Sequence, residues 1–87
     1  MPRKAEVYGV SLYLYRPNGQ PYTYRTVNVK DRGAANRFAR QYIALLRRKG
    51  YQVVSEQKDD DAHTWFLAKT EDGKEQRAMV DIVAIPF

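Results

Sequence analysis

The residues with the clearest capacity for chemistry are four arginines, Arg37, Arg40, Arg47 and Arg48, spaced along DRGAANRFARQYIALLRRKG at residues 31–50. No acid follows Asp31 until Glu56, so none of them has an i,i+4 counter-charge inside that stretch. Unpaired guanidinium groups at helical spacing form a surface for anions, and backbone phosphates are the natural ligand. A second set is aromatic. Tyr13, Tyr15, Tyr22 and Tyr24 lie on two stretches that read as paired strands. Exposed tyrosine rings offer stacking platforms for unpaired bases or anchors for a protein partner.

Other chemistry finds little support. Asp59, Asp60, Asp61 and His63 are hard-metal or histidine ligand types, but the run lacks the spaced oxygens and the glycine turn of a calcium loop. His63 is the only histidine, and Ser11 and Ser55 are the only serines, both on strand-like stretches. A Ser-His-Asp arrangement would need three coincidences of fold. Glu56 and Asp81 are a conceivable carboxylate pair. Gly33 stands alone near the start of the helix, without a glycine-rich phosphate loop. The expectation is a protein that is not an enzyme and needs neither metal nor cofactor.

These residues need elements to hold them. Residues 31–50 carry the one sustained helical period. Ala34, Ala35, Phe38, Ala39, Tyr42, Ile43, Leu45 and Leu46 fall on one broad side at about 100° per residue. Asn36, Arg37, Arg40, Gln41, Ala44, Arg47 and Arg48 fall on the other. Asp31 is placed to cap the N-terminus, and Gly50 suits the left-handed residue that ends a helix. Arg47, Arg48 and Lys49 sit where the helix dipole favours cations.

Ahead of the helix, VYGVSLYLYRP and PYTYRTVNVK flank Asn18-Gly19, a strong signal for a type I′ hairpin turn. That turn would pair residues whose numbers sum to 37, setting Tyr15 opposite Tyr22 and Tyr13 opposite Tyr24. Alternation would then place Tyr8, Val10, Leu12, Leu14, Val27 and Val29 under the helix, and all four tyrosines on the far face. Behind the helix, YQVVSEQK, HTWFLAKT and RAMVDIVAIPF read as three strands. The last two join across Asp72-Gly73, with Trp65 opposite Val80 and Leu67 opposite Ala78. The run Val80–Ile85 is the most apolar and suits the middle of a sheet.

The expected fold is α+β, a two-layer ββαβββ domain with one helix on one face of a mixed, mainly antiparallel sheet. A right-handed crossover would set the last strand parallel to the first, in the order 2-1-5-4-3. A meander with the first strand on an edge is the alternative. The preferred order resembles that of the β-grasp family, which includes ubiquitin-like and small immunoglobulin-binding domains. The resemblance spans the whole chain but rests on element order alone, so it implies a fold and no functional residue.

Length and charge bound the rest. The 87 residues make one domain. Without cysteine there are no disulfides or thiolate metal sites, which fits the cytoplasm. No run is apolar enough to cross a membrane, and MPRKAE is no signal peptide. Residues 1–49 hold 11 Lys/Arg against 2 acids, and residues 50–87 hold 4 against 8. The molecule is therefore electrically lopsided and can steer toward phosphates or toward an acidic protein.

The expected function is nucleic-acid binding, to RNA or DNA, through the arginine face, the tyrosine face or both. Arg3 and Lys4 would assist, and Arg25 would lie on the face away from the tyrosines. The alternative is a protein-interaction module, a small adaptor or inhibitor of the sort phages and mobile elements encode. Its free edge Tyr22–Lys30 could accept a partner strand. A homodimer that buries two tyrosine faces is a third arrangement.

Overall fold

Asp31 and Gly50 bracket the helix as their chemistry requires. In the computed structural model, which describes residues 5–86, helix α1 spans Arg32–Arg48. The Asp31 carboxylate accepts from the Gly33 N–H at 3.2 Å. Gly50 adopts φ +99° and donates its N–H to the Arg47 carbonyl at 3.0 Å. Only a residue without Cβ takes that φ cheaply, so the helix stops there.

Five strands accompany it: β1 (Ala5–Tyr15), β2 (Pro21–Val29), β3 (Gln52–Lys58), β4 (Ala62–Glu71) and β5 (Lys74–Pro86). They form one sheet in the order β2-β1-β5-β4-β3, as expected. One helix on one face of this sheet gives the two-layer α+β fold.

One expectation fails. β1 and β5 pair antiparallel, not parallel, and every other pairing is antiparallel too, so the sheet is not mixed. Parity explains the difference. The helix returns the chain to the end where β2 began, so β3 runs the same way as β2. Two further hairpins make β5 run like β3, and therefore against β1. A β-grasp chain with two strands after its helix has the opposite parity and gains a parallel central pair. The third strand here removes that pair while keeping the spatial order.

The core lies where the small residues of the helix allow close approach. Ala35 and Ala39 are fully buried, with Tyr42 and Leu46 beside them, against Val10, Leu12, Leu67, Ala78, Val80 and Ile82 of the sheet. The helix packs chiefly on β1 and β5, then β2. β3 remains exposed along its whole length. Among the described residues no layer covers the other sheet face, and Val83 and Ile85 of the central strand β5 keep 41% and 40% of their surface in solvent.

The two hairpins differ. The β4–β5 turn is the expected two-residue type I′, with Asp72 at φ +54° and Gly73 at φ +75°. It places Trp65 opposite Val80, Leu67 opposite Ala78 and Phe66 opposite Met79. In the β1–β2 hairpin the expected I′ turn is replaced. In an Asn18-Gly19 I′ turn Pro17 would have to close the flanking pair with Gln20 through an N–H that proline lacks, whereas its φ near −65° suits the first position of a longer loop. The Gly19 N–H bonds the Arg16 carbonyl at 2.8 Å and the Arg16 N–H bonds the Gln20 carbonyl at 2.9 Å. The loop is therefore the three residues Pro17, Asn18 and Gly19, with Gly19 at φ +88°. Asn18 still shapes it, because its Oδ1 accepts from the Gln20 N–H at 3.0 Å.

This extra loop residue moves the register near the turn by one. Tyr13 faces Thr23, Leu14 faces Tyr22 and Tyr15 faces Pro21. A bulge at Tyr24 then absorbs the shift, and from Leu12–Arg25 onward the pairs follow the expected register. A second bulge, at Val54 in β3, means that both edge strands are interrupted. Bulged edges are poor templates for an added strand. That weighs against the edge Tyr22–Lys30 as a strand acceptor.

Candidate nucleic-acid interface

Seventeen residues of regular helix put Arg37, Arg40, Arg47 and Arg48 on one outward surface, with exposed Ala44 between them. All four arginines are exposed. Among the described residues, none has a carboxylate within 4 Å. The acidic strands do not fold back over them. At 100° per residue, Arg37 and Arg48 lie toward the flank marked by Leu45, and Arg40 and Arg47 toward β3. Arg47 indeed lines a depression with Tyr51, Gln52 and Val53. Arg3 and Lys4 lie outside the described residues.

The tyrosines do not share a face as expected. Tyr13 and Tyr15 lie half-buried on the uncovered sheet face, beside Met79 and Phe66. Tyr22 pairs with Leu14 and so turns to the helix side. Tyr24, the bulged residue, also lies on the helix side, in a cleft with Leu45, Leu46 and Lys49. Arg25 opposes Leu12 and joins them, contrary to the expectation that it sits apart from Tyr24. Its guanidinium lies 5.8 Å from the centre of the Tyr24 ring, and that of Arg16 lies 4.6 Å from the Tyr22 ring. Both are cation–π distances.

The expected four-ring platform is thus split, and half of it moves beside the basic helix. Proline chemistry in the loop was the available signal, since Pro17 excludes the I′ turn that fixed the expected register. Two further cations come into view. Lys49 is exposed at the helix end. Lys69 donates to the Lys49 carbonyl at 3.2 Å, sits 4.8 Å from the Tyr51 ring centre and pairs with Glu71 at 3.1 Å. It therefore caps the helix C-terminus from β4.

The residues weighed for catalysis are kept apart. Glu56 opposes Trp65 on the helix side, whereas Asp81 opposes Ser11 and Thr64 on the uncovered face, so they form no carboxylate pair. His63 Nε2 meets Glu56 Oε2 at 2.5 Å and stacks on Trp65 at 3.8 Å. Ser11 lies on the other face and shares a hydrogen bond with Thr26 at 3.1 Å. Asp59 Oδ1 accepts from the N–H groups of Asp61 and Ala62 at 2.9 and 2.8 Å, which makes it a turn former. Among the described residues, no three His, Cys, Asp or Glu side chains gather to hold a metal. No helix there is long and apolar enough to cross a membrane.

Among the described residues, Asp81 carries the one buried side-chain polar atom left without a partner. The residue as a whole is half-buried, but its Oδ1 is out of solvent with no hydrogen-bond partner among the described residues. Burial pushes its carboxyl above the ordinary 3.8. The folded chain then holds that proton more tightly than the unfolded chain. Ionisation of Asp81 therefore removes stability as pH rises from the unfolded value toward the folded one. Asp81→Asn is expected to stabilise the protein at about pH 7 by roughly 1 kcal/mol, the order of one unmade buried hydrogen bond. The gain should vanish near pH 3, where the parent carboxyl is protonated in both states. Urea unfolding at both pH values checks this, and a variant less stable than the parent at neutral pH contradicts it.

Known proteins offer no further guide to this arrangement: no family model matches the chain, and no curated protein or solved structure matches it.

Proposed function

We propose that this chain is a small non-enzymatic nucleic-acid-binding domain that grips phosphates with the outer face of α1. The observation that carries the reading is the set of Arg37, Arg40, Arg47 and Arg48, exposed and without a carboxylate partner among the described residues. Four such charges held near one another repel. A polyanion relieves that repulsion and releases its own counterions on binding. The net charge of +5 and the basic first half of the sequence favour the same class of ligand.

Fluorescence anisotropy with a labelled random-sequence duplex, titrated across a salt series, tests the reading. If the four arginines meet four phosphates, log K against log salt falls with a slope of about −3.6 on duplex and about −2.8 on a single strand. Binding that ignores salt, or no binding at low salt, contradicts it. In the latter case the arginine face passes to an acidic protein partner, the alternative that the same charges support.

A further inference from the structure

We infer that the cleft beneath the Tyr24 bulge is a seat for one unpaired nucleobase, which gives the domain a preference for single-stranded over duplex nucleic acid. The inference rests on the phosphate-binding reading of α1 and adds a second, base-dependent contact to it.

The three-residue loop is the starting point. A two-residue turn would stand Tyr24 opposite Tyr13 on the uncovered face; the longer loop sets Tyr22 opposite Leu14, so alternation through Thr23 carries Tyr24 to the helix side, and the bulge that follows brings Arg25 to that side as well. Bulges re-aim side chains in this way next to working sites. The Tyr24 ring is 50% exposed, and beside it lies a cleft floored by Leu12, Leu14 and Leu45. The cleft holds about 170 Å³. That is well below the roughly 300–1,000 Å³ of a pocket that encloses a whole small molecule, and it suits a single planar ring. A stacked base pair inside a duplex cannot enter it.

Charge selects the occupant. Lys49 lines the cleft, and the Arg25 guanidinium lies over the Tyr24 ring that forms its aromatic side. Among the described residues neither has a carboxylate within 4 Å. Lys69 is held in place by the Lys49 carbonyl and Glu71, so it forms a fixed wall and does not act as a free anion reader. An apolar floor with an aromatic side and cations at its rim matches a flat base whose own phosphates lie at the edge. The exposed phenol ring supplies a stacking surface, and Arg48 and Arg37 continue the phosphate path on the same flank of α1.

The experiment uses the full chain and three labelled probes of equal length, about 12 nucleotides. They are oligothymidylate, a blunt duplex, and an abasic strand that keeps the sugar and phosphates. Oligothymidylate should bind more tightly than the abasic strand, by roughly 5- to 150-fold, the range for stacking one base on an aromatic ring. Tyr24→Ala should bind oligothymidylate only as tightly as the parent binds the abasic strand, with duplex affinity unchanged. Tyr24→Phe should keep the parent's preference, which separates stacking from any loosening of the hairpin. The abasic probe needs no mutation, so it decides the matter even if Tyr24→Ala folds poorly. Equal binding of oligothymidylate and the abasic strand overturns the inference while leaving duplex binding through α1 intact. If no probe binds at low salt, the inference falls together with the phosphate-binding reading.

Discussion

Leu46→Ala is expected to lower the unfolding free energy by about 2–5 kcal/mol, the usual range for emptying a buried leucine site. Leu46 is 2% exposed and lies in the last turn of α1, where it joins the helix to the sheet. Its carbonyl accepts from the N–H groups of Lys49 and Tyr51 at 2.9 and 3.0 Å, and those backbone bonds survive the substitution. Alanine is the best helix former, so no helical propensity is lost and the deficit reports packing alone. The effect is large because the cover is thin. A single helix supplies the whole second layer, and a domain of this size has a total stability of roughly 5–15 kcal/mol. Urea unfolding followed by circular dichroism measures it. A change below about 1 kcal/mol would mean that the helix end is not seated on the sheet as described.

The second large effect concerns binding. Arg37→Glu with Arg48→Glu, and separately Arg40→Glu with Arg47→Glu, should each cut duplex affinity by about 60-fold or more near 0.1 M salt. The arithmetic follows from counterion release: two lost phosphate contacts flatten the salt slope by about 1.8, which is that factor over one decade of salt. Reversal of sign adds repulsion to the loss. Each pair of changes takes four units from the net charge of +5 and leaves +1. Stability should change little, because none of the four side chains has an ion pair to lose among the described residues. At positions 47 and 48 a glutamate opposes the helix dipole, at a cost of about 0.3–1 kcal/mol. Both pairs should therefore unfold near the parent. Parent-like affinity in both would remove the helix face as the site.

Some of this was legible in the residues and some was not, for identifiable reasons. The helix was readable end to end, since Asp31, the apolar spacing and Gly50 each act locally. The β4–β5 hairpin was equally readable, because Asp72-Gly73 admits one turn and that turn fixes every pair behind it. The first hairpin misled through a competing signal. Asn18-Gly19 suggests a two-residue turn, but Pro17 lacks the N–H that would close it, and the loop grows to three residues. The resulting slip could not persist, because Val27 and Val29 belong under the helix beside Val10 and Tyr8. A bulge had to restore their register, and no single residue type announces where a bulge falls. The direction of β5 depended on a global count of strands after the helix, not on any local pattern. The arginine face was visible because it needs only helical spacing and the absence of acids. Its proximity to Tyr24 was hidden, because it follows from the three-residue loop, which sets Tyr22 and Tyr24 on the helix side.

The most direct test is to titrate isotopically labelled protein with oligothymidylate at low salt and follow backbone amide and arginine side-chain NMR signals. Shifts are expected to concentrate at Arg37, Arg40, Arg47, Arg48 and Lys49 and to extend to Tyr24 and Arg25 on β2. Shifts confined to Tyr13, Tyr15 and Phe66 on the uncovered sheet face, or an unchanged spectrum, would contradict that expectation.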